Sequence, residues 1–190
     1  EFRKGKSRVR GVCKNVEAEG DRYQHEIAAY RLDRRLDLNL VPVTVLRKTG
    51  VNAPCSLQYF VDRALDATAV REYGLPPGYE EKVSIQIEDS RVFDALIGNM
   101  DRTESDVLHL PVDGRIALID HSRAFSLETD LRTWFPDGRW ELSEKMESAL
   151  KKLDTGDLKS VLGGWLEKDQ IKALEERRKG LLAGVAQTGS

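Results

Sequence analysis

Val92-Phe93-Asp94-Ala95-Leu96-Ile97-Gly98-Asn99-Met100-Asp101-Arg102, followed a short way on by Leu118-Ile119-Asp120-His121-Ser122-Arg123-Ala124-Phe125, is the pair of segments that decides the fold. In the first segment Val92, Phe93, Leu96 and Ile97 recur with a helical period, and Gly98-Asn99 is a stop. A helix therefore delivers Asp101 into a loop. Between the segments, Val107–Leu110 and Arg115–Ile119 flank Asp113-Gly114, a strong signal for a β-hairpin. Pairing those strands brings Asp106 and Asp120 to one end of the hairpin. Like charges gathered there repel, which makes sense where a hard divalent cation binds through oxygen. The spacing follows the logic of phosphoryl transfer. Asp101 serves an acceptor hydroxyl, Asp106 holds metal, and Asp120 bridges metal to phosphate. On spacing alone, three surface turn aspartates would look the same.

Upstream, Arg8–Lys14 alternates weakly, as a half-buried strand does. Glu17–Gly20 reads as a turn, and Asp21 as the cap of a helix running to Asp37–Asn39, with Tyr23, Ile27, Tyr30 and Arg34 on one stripe. Leu40–Leu46 reads as a buried strand with Pro42 at its start, Thr49-Gly50 as a turn, and Ser56–Val61 as the returning strand. The run 62–80, with Gly74, Pro76, Pro77 and Gly78, reads as an irregular bridge. Beyond Phe125 three helices are expected, Ser143–Leu153, Thr155–Leu166 and Lys168–Leu182. Trp134, Trp140 and Trp165 should pack the helical part, and Arg177-Arg178 should lie on a solvated helix face. The expected fold class is α+β and bilobal: one domain over 1–190, with a β-rich lobe at 1–61, a connecting segment at 62–82 and a helical lobe at 83–190.

The quoted segments resemble the catalytic core of atypical kinases, including the phosphatidylinositol 3/4-kinase-like, HipA-like and Golgi casein kinase groups. The upstream runs Glu26–Leu32 and Leu38–Val45 share the likeness, which covers roughly residues 8–182. It implies a protein-kinase-like fold, ATP as donor, and Mg²⁺ or Mn²⁺ as cofactor. Asp101 matches the catalytic-loop Asp and Asp120 the metal-binding Asp of an Asp-His-Ser motif. Glu26 matches the helix Glu that pairs with a phosphate-binding Lys, for which Lys14 is the candidate and Lys4 and Lys6 the alternatives. Gln58, Tyr59, Phe60 and Val61 match the hinge that reads adenine. Three departures stand out: Asp106 replaces the usual Asn, Thr103 stands where a His is common, and no glycine-rich loop precedes Lys14. His121 is expected to pack or hydrogen-bond locally, and Arg123 to bridge to the catalytic loop or touch phosphate.

Lys plus Arg is 30 and Asp plus Glu 32, a net charge of −2, so no global field draws nucleic acid or an anionic membrane. The cluster Arg3, Lys4, Lys6, Arg8 and Arg10 reads as a solvated strand face. No run of apolar residues is long enough to span a bilayer. Cys13 and Cys55 make no disulfide framework. A reduced, cytoplasmic setting is the simpler reading, with a single bridge and secretion left open, and Cys13 reads as a small apolar strand residue. The opening Glu1-Phe2-Arg3-Lys4 looks like mid-strand, so the β-rich lobe is expected to be truncated. The acceptor is a protein Ser/Thr hydroxyl ahead of a lipid or small molecule. A nucleotide-binding pseudokinase and an AMP transferase are the alternatives.

Overall fold

The computed structural model describes residues 2–4, 7–15, 19–49 and 52–188. Lys6, the start of the Glu17–Gly20 turn, and Gly50 lie outside the described residues. Strands β1 (Phe2–Lys4) and β2 (Ser7–Val9) pair antiparallel, and the chain runs on through Arg10 into β3 (Gly11–Lys14). After helix α1 (Tyr23–Leu36) come β4 (Thr44–Thr49) and β5 (Asn52–Tyr59), which complete an antiparallel sheet of order β3-β5-β4. Ile27, Ala28, Ala29, Leu32 and Leu36 form the buried face of α1. The helix ends at Asp37, whose backbone is left-handed at φ 55°.

Several boundaries differ from the sequence reading, each for a local reason. Arg22, not Asp21, occupies the cap position of α1, because the Asp21 carboxylate is drawn to Arg123 instead. The strand expected from Leu40 starts only at Thr44. Leu40 donates its N–H to the buried Asp33 and accepts from Leu118 N–H, so it ties α1 to the later hairpin rather than joining the sheet. The returning strand starts at Asn52 and ends at Tyr59. Within the expected bridge, Asp66 accepts from Ala69 N–H at 2.9 Å and caps a short helix, α2 (Ala67–Tyr73).

Helix α3 (Tyr79–Ile97) carries the deep core residues Val92, Phe93, Ala95, Leu96 and Ile97. It stops at Gly98, φ 65°, where a Cβ would fall within 2.9 Å of Ser126 Oγ and the Arg177 guanidinium, so both conformation and space demand glycine. The Asp-Gly hairpin forms as read: β6 (Val107–Leu110) pairs with β7 (Arg115–Leu118). Tyr79 Oη joins α3 to it, donating to Arg115 O and accepting from Leu110 N–H. Helices α4 (Glu144–Lys152), α5 (Thr155–Leu162) and α6 (Lys168–Thr188) complete the helical part, α4 capped by Ser143 and α5 by Asp154. Trp134, Trp140 and Trp165 pack against the core, as expected.

Arg177 does not lie on a solvated face. It is fully buried, and donates to the carbonyls of Leu96, Ser126 and Glu128. One side chain thereby fastens α6 to the end of α3 and to the segment after Phe125. Burial pulls its pKa down to about 10, which still leaves it charged at neutral pH. Arg10 is exposed, as read, and there pairs with Asp62 and stacks over the Phe60 ring at 4.3 Å.

Candidate functional site

A cavity of about 290 Å³ is lined by Lys14, Asp21, Asp101, Asp120, Ser122 and Arg123, together with Asn15 and Tyr23. Lys14 comes from β3, Asp21 from the approach to α1, Asp101 from the loop after α3, and Asp120, Ser122 and Arg123 from the turn after β7. The Lys14 ammonium donates to Glu26 Oε1 at 2.9 Å and to Asp120 Oδ1 at 3.0 Å. Burial pulls the Lys14 pKa down, but Glu26 and Asp120 outweigh it and the net shift is upward. Glu26 is 1% exposed. Burial pushes its carboxyl up, yet His121 and Lys14 more than offset that and bring it down to about 2.

Asp120 has a left-handed backbone, φ 59°, which a non-glycine residue rarely adopts and which recurs at functional sites. Its Oδ1 also accepts from Ser122 Oγ at 3.2 Å. Asp101 is 61% exposed, with its N–H on Asn99 Oδ1 and Arg123 Nη1 3.6 Å from Oδ2. Arg123 therefore bridges to the loop that carries Asp101. Its Nε donates to Asp21 Oδ1 at 2.8 Å. Asp21 is one of the residues that sequence reading missed as part of the site. Its position ahead of a helix reads as a cap, and nothing local reveals a partner so far along the chain.

Other candidates are not brought into this cavity. Asp106 Oδ2 accepts from the N–H and Oγ1 of Thr103, closing a capping box on the 3₁₀ turn at residues 104–106. The main chain still runs beside Asp120, since Ile119 N–H donates to Asp106 O. Among the described residues, no group of three or more His, Cys, Asp or Glu side chains is arranged to hold a metal ion. Gln58 is buried with its amide on Thr44 Oγ1, and Tyr59 and Phe60 donate their N–H groups to Val43 and Arg10. Tyr59 and Val61 line a different cavity, of about 340 Å³, beside Pro42, Leu110 and Ala117. The four hinge candidates thus lie apart from the Lys14 cavity.

The reading of Cys13 as an unpartnered apolar residue is overturned. Cys13 and Cys55 form a disulfide between β3 and β5, with Cα atoms 5.8 Å apart. Register explains the pairing: Cys13 stands opposite Leu57, which puts Cys55 on the diagonal of the same face. Alternation along the strand turns the neighbouring Lys14 to the other face.

No family model matches the chain. It is 29% identical to Protein Rv2133c of Mycobacterium tuberculosis (strain ATCC 25618 / H37Rv), covering 83% of this chain and 67% of that one. Among solved structures it is similar to that described as "The structure of hydra Fam20 with sugar", with a TM-score of 0.64, 16% identity, and coverage of 97% of this chain and 79% of that one. At that identity the likeness bears on fold alone, and the fold is kinase-like in general outline. It touches the Golgi casein kinase side of the resemblance and not the phosphatidylinositol-kinase or HipA sides.

Proposed function

We propose that the chain transfers a phosphoryl group from ATP to a hydroxyl, with a divalent cation. The observation that carries this reading is Lys14, held between Glu26 and Asp120 in a cavity that Asp101 also lines. A lysine clamped by a buried carboxylate is pre-organised to meet phosphate oxygens. Asp101, exposed beside it, accepts the proton of the acceptor hydroxyl. The donor chemistry fits a hard cation, since Asp120 and Asp101 offer only oxygen. Asp120 would hold the ion, and Asp106, whose Oδ2 is engaged by the Thr103 cap, would join it only by turning toward Asp120. When bound, the ion neutralises charge on the phosphates. The same reading assigns adenine contact to Gln58, Tyr59, Phe60 and Val61, which lie outside the Lys14 cavity.

Protein Ser/Thr is the first acceptor class, with lipid and small-molecule hydroxyls next. A sugar hydroxyl belongs among the acceptors to screen, because the Fam20 structure carries a sugar. Among the described residues no helix is long and apolar enough to cross a membrane. The Cys13–Cys55 bridge supports an oxidising compartment over the reduced one that two cysteines suggest. A second reading, a pseudokinase that binds nucleotide without turnover, is favoured by one observation: the Asp106 carboxylate is turned to Thr103.

The test is a thermal shift with ATP plus Mg²⁺ or Mn²⁺, paired with label transfer from γ-labelled and α-labelled ATP. Wild type is expected to be stabilised and to transfer the γ label, with Asp120→Ala lowering transfer by about 10²-fold to 10³-fold. Binding without transfer supports the pseudokinase, and transfer of the α label indicates AMP transfer. No metal-dependent shift in either protein defeats the proposal.

A further inference from the structure

His121 is wholly buried and next to Asp120, yet it does not face the cavity. It stands between two ion pairs. On one side Arg102 grips Asp94 with two hydrogen bonds of 2.9 Å, Nε to Oδ2 and Nη2 to Oδ1. The same Nη2 lies 3.0 Å from His121 Nε2. A guanidinium can only donate, so Nε2 must accept and the imidazole proton must sit on Nδ1. On the other side His121 Nδ1 lies 3.6 Å from Glu26 Oε2. Both atoms are buried and have no hydrogen-bond partner among the described residues. Each is the complement of the other, a donor facing an acceptor slightly beyond bonding distance. Buried polar atoms left unpaired are costly, which favours closing that gap. The Phe93 ring packs edge-on against the imidazole, with centroids 6.3 Å apart, and limits its rotation.

We propose that His121 is a positioning residue for the phosphate grip. Its tautomer is fixed by the catalytic-loop residue Arg102, and its Nδ1–H orients Glu26 so that Oε1 is presented to Lys14. This inference rests on the phosphoryl-transfer reading for its purpose, but the relay itself is a property of the unliganded chain. The Asp-His-Ser motif then serves two ends, with Asp120 facing the ligand while His121 carries the state of the catalytic loop to α1. Lys14 is held for phosphate only when Arg102 and Asp94 have formed their pair.

Three substitutions separate the donor from mere filling of space. In His121→Asn the amide nitrogen can stand where Nδ1 stood and still donate to Glu26. In His121→Gln the amide oxygen can accept from Arg102, but the donor to Glu26 is lost. His121→Phe fills the volume and offers neither. ATP affinity in the presence of Mg²⁺ is expected to fall about tenfold to hundredfold in the Gln and Phe variants, with a smaller change in kcat, and to be largely restored in His121→Asn. Labelling of Lys14 by an amine-reactive reagent, followed by mass spectrometry without nucleotide, should be several-fold faster in His121→Gln and His121→Phe than in wild type or His121→Asn. Should His121→Phe not fold, the Asn and Gln variants decide the matter. If Asn labels and binds like Gln, the relay is refuted. If the labelling pattern holds but wild type binds no ATP, the relay stands and the phosphoryl-transfer reading falls.

Discussion

Glu26 is 1% exposed and meets Lys14 at 2.9 Å, whereas Asp101 is 61% exposed and lies 3.6 Å from Arg123. The first carboxylate is built into the protein, braced by His121 and shielded from water. The second is presented to solvent, and Asp106 is turned aside into a cap. On spacing alone the carboxylates are the firmer half of the site and the lysine grip the weaker. Burial reverses that order. A buried carboxylate must have its partners in place before any ligand arrives, because an unpaired charge there is severely penalised. An exposed one is satisfied by water and can wait for its cation.

Loosening the strand that carries Lys14 should have the largest effect on the built half. Cys13 and Cys55 close a loop of 42 residues, so reduction or Cys13→Ser should lower stability by about 4 kcal/mol in the chain-entropy model, read by denaturant unfolding with and without dithiothreitol. Next, Glu26→Gln takes the charge from a pair that is buried on one side only, Lys14 being 28% exposed. A loss of about 3 kcal/mol is expected, with ATP affinity falling in parallel; an unchanged unfolding curve would mean that the pair is as weak as a surface one.

Acid probes the packing of α1 against the turn after β7. His25 Nε2 accepts from the Gln170 amide and its Nδ1–H donates to Ser122 O, so the folded state holds it neutral. Burial lowers its pKa to about 4, opposed by the Ser122 carbonyl and Glu26 and helped by Arg22. The unfolded chain therefore binds the extra proton first. Stability from this residue is complete well above pH 6.5 and is lost as pH falls through 6.5 toward 4, by about 3 kcal/mol. His25→Asn should flatten that part of the stability–pH curve. The smallest effect belongs to the exposed half: Asp106→Ala removes the N3 side of the capping box with Thr103, worth about 1 kcal/mol. If Asp106 is also a metal ligand, γ-label transfer will fall much further than that loss of stability explains.

Much of the frame is legible in the chain. The helix ending at Gly98-Asn99 and the Asp-Gly hairpin rest on periodicity and turn chemistry, both local. The start of the first strand after α1 at Leu40 rather than Thr44 is a misreading, because an apolar β-branched run looks the same whether it pairs in a sheet or tethers a helix to a hairpin. The fate of Leu40 is decided by Asp33 and Leu118. Arg177 misleads for a similar reason, since the carbonyls that compensate its burial belong to Leu96, Ser126 and Glu128.

By itself the sequence determined which residue types could do the chemistry and where the chain would turn to present them, with Asp101 after a helix and Asp120 after a hairpin. Only the tertiary structure decided which of them meet. Lys14 and Asp120 are 106 residues apart in the chain, and Asp21 and Arg123 are 102 apart. Such contacts follow from how the sheet, α1 and the hairpin pack together. Packing depends on complementary surfaces across the whole fold, and no local window of sequence contains them.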